Sequence, residues 1–486
     1  MSINKMNHLA QNGPSFSFLT EDQLYDIHVA SLEVLERSGV RVDSDEVLEM
    51  LEANGAYLEE GNIVKIPTAM VEKALDEAPG KVTLADRNGD RTMRCEKNRS
   101  YFGPGSDLPK TVDLETGDLR ASKKIDVARA STVVDALPNY DFMMSYAIAT
   151  DAPDQLSYLH QFQAMVENTT KPIVFTARDG RDFEQIVEIA ATIRGGHEEL
   201  RKNPFIACYS EPTSPLIHSK DAVDKLLGCA DYGIPAIYTP GAGAGTTAPS
   251  TLAGLLTQIN AEILSGVVIH QLRENGAPFV YGAACTSTDM RTTIMPHGAP
   301  EFPMLGAVFA QLARYYDLPS WSTAGNSDAV IPDQQASIEW TNSLLLAELS
   351  GANIVHDVGY LGTGLVGALE SLPICNEIME IVRYVGRGIR IDSDTLATEV
   401  IERVGPGGHY LTDKHTLEHF KEEFSSTDLL NRDRYDNWLM EGEVTLREKA
   451  KEKVRSILKE HEPERIADDT ERKITEIIEE AEQEYL

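Results

Sequence analysis

The sequence of 486 residues predicts an α/β fold of the TIM-barrel type, a closed (β/α)8 barrel with a helical lead-in before it and a helical extension after it. Between about residues 100 and 390, eight short runs of β-branched and aromatic residues alternate with longer stretches that carry apolar residues at helical spacing. Such alternation is typical of a parallel sheet, and eight units favour a closed barrel. The runs end in polar or glycine residues, as buried parallel strands do where they enter functional loops.

The lead-in, residues 1–99, contains three stretches with helical periodicity: LYDIHVASLEVLERSGV, SDEVLEMLEANG and PTAMVEKALDEAPG. Thr20 and Gln23 have the spacing of a capping box, so we expect the first helix to begin just after Thr20. Farther along, VDLETGDLRAS (112–122) places Thr-Gly between two alternating runs and predicts a β-hairpin.

The barrel domain is predicted over residues 100–390. Its eight strands are expected in the runs 100–107, 140–149, 171–178, 203–212, 234–245, 277–286, 318–328 and 352–362. Its eight helices are expected within 123–137, 155–168, 182–194, 219–232, 252–275, 303–316, 334–350 and 370–386. The extension, residues 391–486, is charged and helical in pattern, which is typical of a solvated or partner-facing tail.

The composition excludes several partners. A formal charge of −33 repels phosphate backbones and anionic membrane surfaces, so nucleic acid and membrane are not expected to bind. The first twenty residues carry no unbroken apolar run, and no later window approaches the roughly 20 apolar residues of a membrane helix. We therefore expect a soluble, cytoplasmic protein. Its five cysteines are scattered and form no C-x-x-C pair, so no disulfide framework or thiolate zinc site is predicted.

Three other kinds of chemistry are disfavoured. His415 and His419 have i, i+4 spacing, but no H-E-x-x-H pattern surrounds them and only His409 offers a third ligand, so no metal is predicted. Lys171 stands at the start of its run, the wrong end of a barrel strand for a Schiff base. The glycines of TPGAGAGTTAPS lack the lysine of a P-loop and predict only close approach of a ligand or partner.

Side chains at the carboxyl ends of the strands converge on one mouth of a barrel, which is the expected active site. The residues expected to become neighbours there are Arg178, Tyr209, Glu211, Tyr238, Asp289, Trp321, Asn326, Asp328, His356, Asp357 and Tyr360. Aromatic faces together with acids favour a cation, above all a quaternary ammonium ion. Arg178, Arg314 or His356 could bind a substrate carboxylate.

Long runs of the chain resemble the trimethylamine methyltransferase superfamily. They are FGPGSD (102–107), TVDLETGDLR (111–120), STDMRTTIMPHGAPE (287–301), LARYYDLPSWSTAGNSDAVIPDQQASIE (312–339), SGANIVHDVGYLGTGL (350–365) and VGPGGHYLTDKHTLEHF (404–420). The resemblance implies a barrel enzyme that moves a methyl group from an amine to the cobalt of a small corrinoid protein. The founding branch carries pyrrolysine near the stretch that looks like 326–335 here, whereas this chain has only ordinary residues.

The chain therefore resembles the non-pyrrolysine branch, which implies demethylation of a quaternary amine such as glycine betaine, proline betaine or carnitine. A quaternary ammonium leaves as a neutral amine, so cobalt(I) can attack its methyl directly. On that mechanism the protein needs no general acid, nucleophile or metal of its own: it recognises the cation, aligns one N-methyl group and excludes water.

The motif positions and the strand ends together give the candidate site residues. Tyr101, Phe102, Trp321 and Tyr360 are the expected aromatic cage, His356 or Arg314 the carboxylate partner, and Glu211 or Asp328 the acid that faces the ammonium. The corrinoid is expected to dock near Gly241, Gly243, Gly245, Gly407 and Gly408.

Two alternatives stay open beside this function: direct transfer of the methyl group from a betaine to tetrahydrofolate, and a betaine-binding protein without catalysis. The sequence does not distinguish among the betaines. A homo-oligomer is expected, because most large symmetric barrel enzymes assemble.

Overall fold

The computed structural model describes residues 14–90 and 92–485. The prediction that the chain begins without a signal peptide falls mainly on residues 1–13, which lie outside the described residues. The lead-in elements are α1 (Glu21–Arg37), β1 (Val40–Val42), α2 (Asp45–Ala53), β2 (Tyr57–Glu59), β3 (Ile63–Lys65), α3 (Thr68–Glu77), β4 (Val82–Ala85) and β5 (Thr92–Cys95). All three predicted helices are present, and the Thr20 hydroxyl caps α1 by accepting from the Gln23 N–H.

The lead-in also contains strands that the sequence analysis did not predict. The strands β1, β2 and β3 have three residues each, too short to produce a detectable alternation. The strands β4 and β5 form an antiparallel hairpin. Side chains of this hairpin join the inward-facing residues of the barrel in one hydrophobic cluster, and the Ala85 N–H donates to the Pro204 carbonyl just before a barrel strand. The hairpin therefore closes the amino-terminal end of the barrel.

Seven parallel strands curl into the barrel: β6 (Tyr101–Phe102), β9 (Ile173–Thr176), β10 (Ile206–Ser210), β12 (Ala236–Tyr238), β14 (Phe279–Gly282), β16 (Ser320–Thr323) and β17 (Ile354–His356). The eighth position is filled by residues 141–143. The Asp141 N–H donates to the Phe102 carbonyl at 2.7 Å, and the Val174 N–H donates to the Met143 carbonyl at 2.9 Å. These bonds join β6 to β9, so the predicted (β/α)8 barrel is confirmed.

Eight helices surround the strands: α4 (Lys124–Ala136), α5 (Ser157–Asn168), α6 (Gly180–Arg194), α8 (Lys220–Tyr232), α9 (Leu252–Arg273), α10 (Glu301–Tyr315), α11 (Gln334–Ser350) and α12 (Ser371–Gly386). Each overlaps a predicted helix, and a short additional helix, α7 (His197–Lys202), precedes β10. Contrary to the expectation above, α9 is apolar and long enough to cross a membrane. Because 72% of its apolar window is buried and it packs against α1, α3 and α8, it is a core helix.

Two small sheets extend the barrel at its carboxyl end. The strands β7 (Lys110–Val112) and β8 (Leu119–Ala121) form the predicted hairpin, and β18 (Val366–Ala368) pairs with β7. The strands β13 (Gly241–Ala244) and β15 (Ala284–Ser287) pair in parallel beyond β12 and β14. A strand of two residues, β11 (Ile217–His218), adds to the sheet of β1, β3 and β2.

The extension is helical, as predicted. Its helices are α13 (Thr398–Val404), α14 (Lys414–Glu423), α15 (Tyr435–Met440), α16 (Leu446–Glu460) and α17 (Asp468–Tyr485). The helix α16 packs on α4 and α12, and α17 packs on α5 and α6, whereas α13, α14 and α15 contain no buried residue. One hydrophobic cluster runs from Leu24 to Ala481. The division into 1–99, 100–390 and 391–486 therefore stays a prediction.

Candidate active site

Aromatic rings form the floor of the barrel mouth. The Trp321 ring lies 4.3 Å from the His356 ring and 5.3 Å from the Tyr209 ring, measured between centroids. His356 and Trp321 come from the adjacent strands β17 and β16, and Tyr209 comes from β10, which β14 and β12 separate from β16. All three point inward because alternate residues of a barrel strand face the interior. Trp321 is fully buried, and its Nε1–H has no hydrogen-bond partner among the described residues. The three rings therefore form a closed aromatic layer at the bottom of the well, the depression into which Glu211 is exposed.

A chain of polar contacts connects the ends of β16 and β17. His356 lies between Thr323, whose Oγ1 is 2.8 Å from Nε2, and Asp357, whose Oδ1 is 3.0 Å from Nδ1. The Asn326 amide donates to Asp357 Oδ2 at 3.2 Å and also contacts His297 Nδ1 at 2.7 Å. Burial would raise the pKa of Asp357, but the nearby His356, His297 and Asn326 outweigh it and hold that pKa below its ordinary value. Asp357 is therefore an anion in the mouth.

Two further acids line the mouth: Glu211 follows β10, and Asp107 follows β6, the strand that pairs with β17. The Tyr209 hydroxyl donates to Glu211 Oε1. The Glu211 side chain is open to solvent but lies deep among protein atoms, and this partial loss of water raises its pKa. Burial also raises the pKa of Asp107 to about 6, and the charges of Glu211 and Asp357 add to the rise. Asp107 Oδ1 has no partner among the described residues.

The backbone and charge of this region mark it as a binding site. Asp107 and Asp357 have left-handed backbone angles, with φ of 65° and 70°, a strained state that clusters at functional sites. Among the described residues, the positive groups that act on these acids are His356 and Lys225 on α8, whose ammonium group donates to the Ala177 carbonyl at 2.8 Å. Three acids thus face one lysine and one histidine, so the mouth favours a positively charged ligand.

The first barrel strand does not bring its two aromatic residues to the mouth. Phe102 faces outward and packs under the Arg383 guanidinium of α12, 5.2 Å from the ring centroid. Tyr101 faces inward but stands at the amino-terminal end, where its hydroxyl accepts from the Arg94 N–H at 3.0 Å. Strand alternation separates the two side chains, and a strand this short ends below the mouth.

Arg314 lies at the opposite face of the barrel. It belongs to the last turn of α10, and its guanidinium donates to the Ser350 carbonyl at the end of α11. Helices of a (β/α)8 barrel run antiparallel to the strands, so their last turns lie far from the mouth. Of His356 and Arg314, the two preferred carboxylate partners, the structure therefore brings only His356 to the site.

Asp328 and Tyr360 stand near the mouth but are engaged by the protein. Asp328 accepts from the N–H groups of His297 and Gly298 at 2.9 and 3.0 Å, so it connects the loops that follow β15 and β16. The Tyr360 hydroxyl donates to the Ser106 carbonyl at 2.7 Å, and the ring is buried behind Asp357. Both side chains are therefore engaged by backbone groups next to the site and are not placed to contact a ligand.

Three other expected neighbours are engaged outside the group of three acids. Tyr238 faces outward, where its hydroxyl is 2.7 Å from His218 Nδ1. Asp289 accepts backbone N–H groups of its own exposed loop, and Arg178 is paired with Asp179.

The two glycine segments separate in the structure. Gly241, Gly243 and Gly245 lie in and after β13 on the mouth side, packed against the loop that follows β15; a Cβ on Gly243 would come within 2.6 Å of Met295 Sδ and Thr288 Oγ1. Gly407 and Gly408 lie between α13 and α14, in a segment that leaves the barrel at the far end of α12, so the same chain does not bring them to its mouth. Among the described residues, no group of three His, Cys, Asp or Glu side chains is arranged to hold a metal.

Sequence reasoning missed Asp107, His297, Thr323 and Lys225. Asp107 directly follows FGPGS at the end of a predicted strand, which is a usable signal. His297 lies in the middle of a long loop and Lys225 on a helix, where no strand end points to them.

Exposed apolar side chains lie along one side of the mouth. They belong to the loops that follow β15, β16 and β17, and their exposed fractions are Met290 70%, Ile294 50%, Met295 42%, Val330 69%, Ile331 44% and Leu365 56%. Contiguous exposed apolar surface of this kind marks contact with another molecule.

Comparison with known proteins gives consistent matches. The family model of trimethylamine methyltransferase (MTTB) matches residues 1–485. The chain is 33% identical to trimethylamine methyltransferase MttB of Desulfitobacterium hafniense (strain DSM 10664 / DCB-2), over 96% of this chain and 94% of that protein. It is 32% identical to the glycine betaine methyltransferase of Desulfitobacterium hafniense (strain Y51), over 88% of this chain and 89% of that protein. The monomethylamine methyltransferase MtmB of Methanosarcina barkeri superposes with a TM-score of 0.50 at 13% identity, covering 80% of this chain and 79% of that one, which supports the fold.

Proposed function

Because the chain belongs to the trimethylamine methyltransferase family and is a methyltransferase, we propose that it takes a methyl group from a quaternary amine and transfers it to the cobalt(I) of a corrinoid protein. The observation that carries the proposal is the mouth itself, an aromatic floor beneath three acids. A quaternary ammonium ion has no N–H to donate, so it is recognised by aromatic faces and negative charge.

The absence of pyrrolysine supports a quaternary substrate. All residues of this chain are ordinary ones. No side chain described at the mouth offers an activating adduct for a neutral tertiary amine, whereas a quaternary nitrogen already carries a positive charge. Glycine betaine is the first candidate, since one relative is named for it. His356 is then the residue at the mouth that could meet its carboxylate.

The corrinoid supplies the nucleophile: the cobalt–carbon bond forms with the electron pair of cobalt(I), and the pair of the breaking carbon–nitrogen bond stays on the amine, which leaves neutral. The chain itself holds the cation above the aromatic layer of Tyr209, His356 and Trp321, orients one N-methyl group outward and excludes water from the floor. Cation–π attraction weakens as the nitrogen loses its charge during transfer. Very tight binding of the cationic substrate would therefore raise the barrier to the transition state, so we expect moderate substrate affinity.

The rim of the mouth fits an acceptor carried by another protein. Met290, Val330 and Leu365 expose more than half of their surface on loops that face the approach to the well. Apolar contact there would place the corrinoid over the strand ends, beside Gly241, Gly243 and Gly245. We place this reaction in the cytoplasm, where the acceptor can be kept reduced.

The experiment mixes purified protein with cobalamin reduced to cobalt(I) and one amine at a time, and follows methylcobalamin by absorbance. We expect turnover with a quaternary amine and none with trimethylamine. Glu211→Gln keeps the side-chain shape but removes a charge from the mouth, so it should lower kcat/KM about tenfold, whereas Arg314→Gln, at the opposite face, should leave kcat/KM unchanged.

Equal turnover of trimethylamine would contradict the quaternary substrate. Methyl transfer to tetrahydrofolate without cobalt would replace the corrinoid as acceptor, and betaine binding with no turnover on either acceptor would reject the proposed reaction.

A further inference from the structure

The extension contains a projecting segment, residues 388–421, which we name the arm. It leaves the barrel after α12 and contains α13 and α14. The chain is fixed to α12 again just beyond the arm, where the Tyr384 hydroxyl donates to the Glu423 carbonyl and the Arg387 guanidinium donates to the Glu422 carbonyl at 2.7 Å. Both ends of the arm are thus anchored to the same helix end, while the arm itself extends away.

No residue of the arm is buried. Eight of its large apolar side chains are exposed, by the fractions Ile389 87%, Ile391 74%, Leu396 56%, Ile401 55%, Tyr410 43%, Leu411 84%, Leu417 71% and Phe420 37%. Single exposed apolar residues are ordinary on a protein surface, but a cluster of this density marks an interaction site.

The arm has ordered helices that its own contacts do not explain. Asp413 caps α14 by accepting from the His415 N–H, and it also accepts two bonds from the Arg403 guanidinium at 2.9 and 2.8 Å. Exposed ion pairs contribute little to stability, whereas ordering each residue costs conformational entropy. Burial of the apolar side chains against another surface would supply the missing stabilisation.

The exposed area matches a stable protein interface. A fully exposed side chain of this size presents roughly 200 Å², so the eight apolar side chains alone offer about 1,000 Å². A standard interface buries about 800 Å² on each partner. Ile381 and Val385 on the adjoining turns of α12 are 41% and 42% exposed and continue the same surface.

The position of the arm selects the partner. The end of α12 lies at the amino-terminal face of the barrel, because Gly386 packs against Glu348 near the end of α11. A methyl acceptor must approach the opposite face, where the mouth opens. A surface present on every chain and remote from the mouth suits a constant partner, and interfaces between identical chains are the apolar class.

We propose that the arm binds a second copy of this chain, so that two copies exchange their arms in a symmetric dimer or a higher assembly built from such pairs. The contact is self-complementary: the arm of each copy covers the arm and the outer face of α12 of the other. The proposal is independent of the substrate and of the acceptor.

The first test measures the mass of the full chain by light scattering after size exclusion, across dilution. We expect a dimer or a larger even-numbered assembly. Ile389→Asp and Leu411→Asp should each weaken association at least a hundredfold, whereas Tyr57→Asp, a change at a residue 68% exposed on β2, should leave it unchanged. Equal circular dichroism spectra of the three variants establish that they are folded. A monomeric wild type, or an assembly that both arm variants leave intact, would reject the proposal.

The second test locates the contact. All five native cysteines are buried, so a thiol introduced by Leu417→Cys can be labelled selectively with a maleimide-linked benzophenone. Irradiation should join two copies, with the new bonds in the arm or α12 of the partner. Bonds only within one chain, or to the rim of the mouth, would overturn the proposal.

Discussion

Trp321 and Phe102 illustrate how strand direction decides the role of an aromatic residue. Both are fully buried and both belong to barrel strands. Trp321 faces the interior beneath the mouth, whereas Phe102 faces the surrounding helices. The motif positions alone suggested the same role for both, because a two-residue strand such as β6 shows no alternation from which to read its inward face.

Trp321→Leu should raise the KM for the amine about 2- to 30-fold, since a cation over an aromatic face gains about 0.5–2 kcal/mol. The KM for the corrinoid should change little. Steady-state kinetics with each substrate varied in turn gives both constants. Phe102→Leu is the matched control, an aromatic residue lost from the outer face of the same barrel. An equal rise in the amine KM for this control would place the cation elsewhere.

Asp107 should make cation binding depend on pH. Its pKa is about 6, so the side chain gains its negative charge as the pH rises from 5 to 7. The KM for the amine should therefore fall over this range, by about five- to tenfold, and Asp107→Asn should abolish the dependence. Asp182→Asn, at a carboxyl group whose pKa burial also raises to about 6, is the control and should retain it.

The raised pKa of Asp107 also affects stability, which should fall with rising pH while cation binding strengthens. The folded chain holds the Asp107 proton more tightly than the unfolded chain, whose pKa is near 3.8. The contribution of this group to the free energy of unfolding is therefore lost as the pH rises from about 4 to about 6. If the free energy of unfolding rose as Asp107 lost its proton, this result would contradict the buried position of the group.

At the scale of elements, the hairpin of β4 and β5 completes the barrel core. Val82, Leu84, Met93 and Cys95 fill the amino-terminal end of the interior. This hairpin was not predictable from the sequence because its strands precede the repeating βα pattern and have only four residues each. The long strand–helix units, in contrast, were predictable from their periodicity, since a buried parallel strand and an amphipathic helix have different apolar spacing.

Leu84→Ala should lower the free energy of unfolding by about 2–5 kcal/mol, because the side chain is fully buried and the hairpin cannot collapse into the space left. Urea denaturation followed by fluorescence measures the change. Leu58→Ala on β2, where the side chain is 43% exposed, should cost less than about 1 kcal/mol. Similar losses for the two variants would mean that the hairpin does not close the core.

At the scale of the whole molecule, the closed barrel was predictable and the arrangement around it was not. Eight βα units determine a barrel through local periodicity alone. Arg314 and Gly407 were assigned to the mouth by sequence, but their positions depend on which end of a helix they occupy and on where the extension leaves the barrel. Such positions depend on contacts between distant parts of the chain, which the local sequence pattern does not predict. The charge of −33 is likewise a property of the whole surface, while the mouth depends on three particular acids.

The hairpin that closes the lower end of the barrel also imposes an order on the reaction. With that end filled by Leu84 and its neighbours, the amine has one route in and the demethylated product the same route out. An acceptor seated over the mouth, as proposed above, would block this route. Substrate would then have to bind before the acceptor, and product would have to leave after it. We therefore expect a compulsory-order sequential scheme, in which excess acceptor inhibits by occupying the empty mouth.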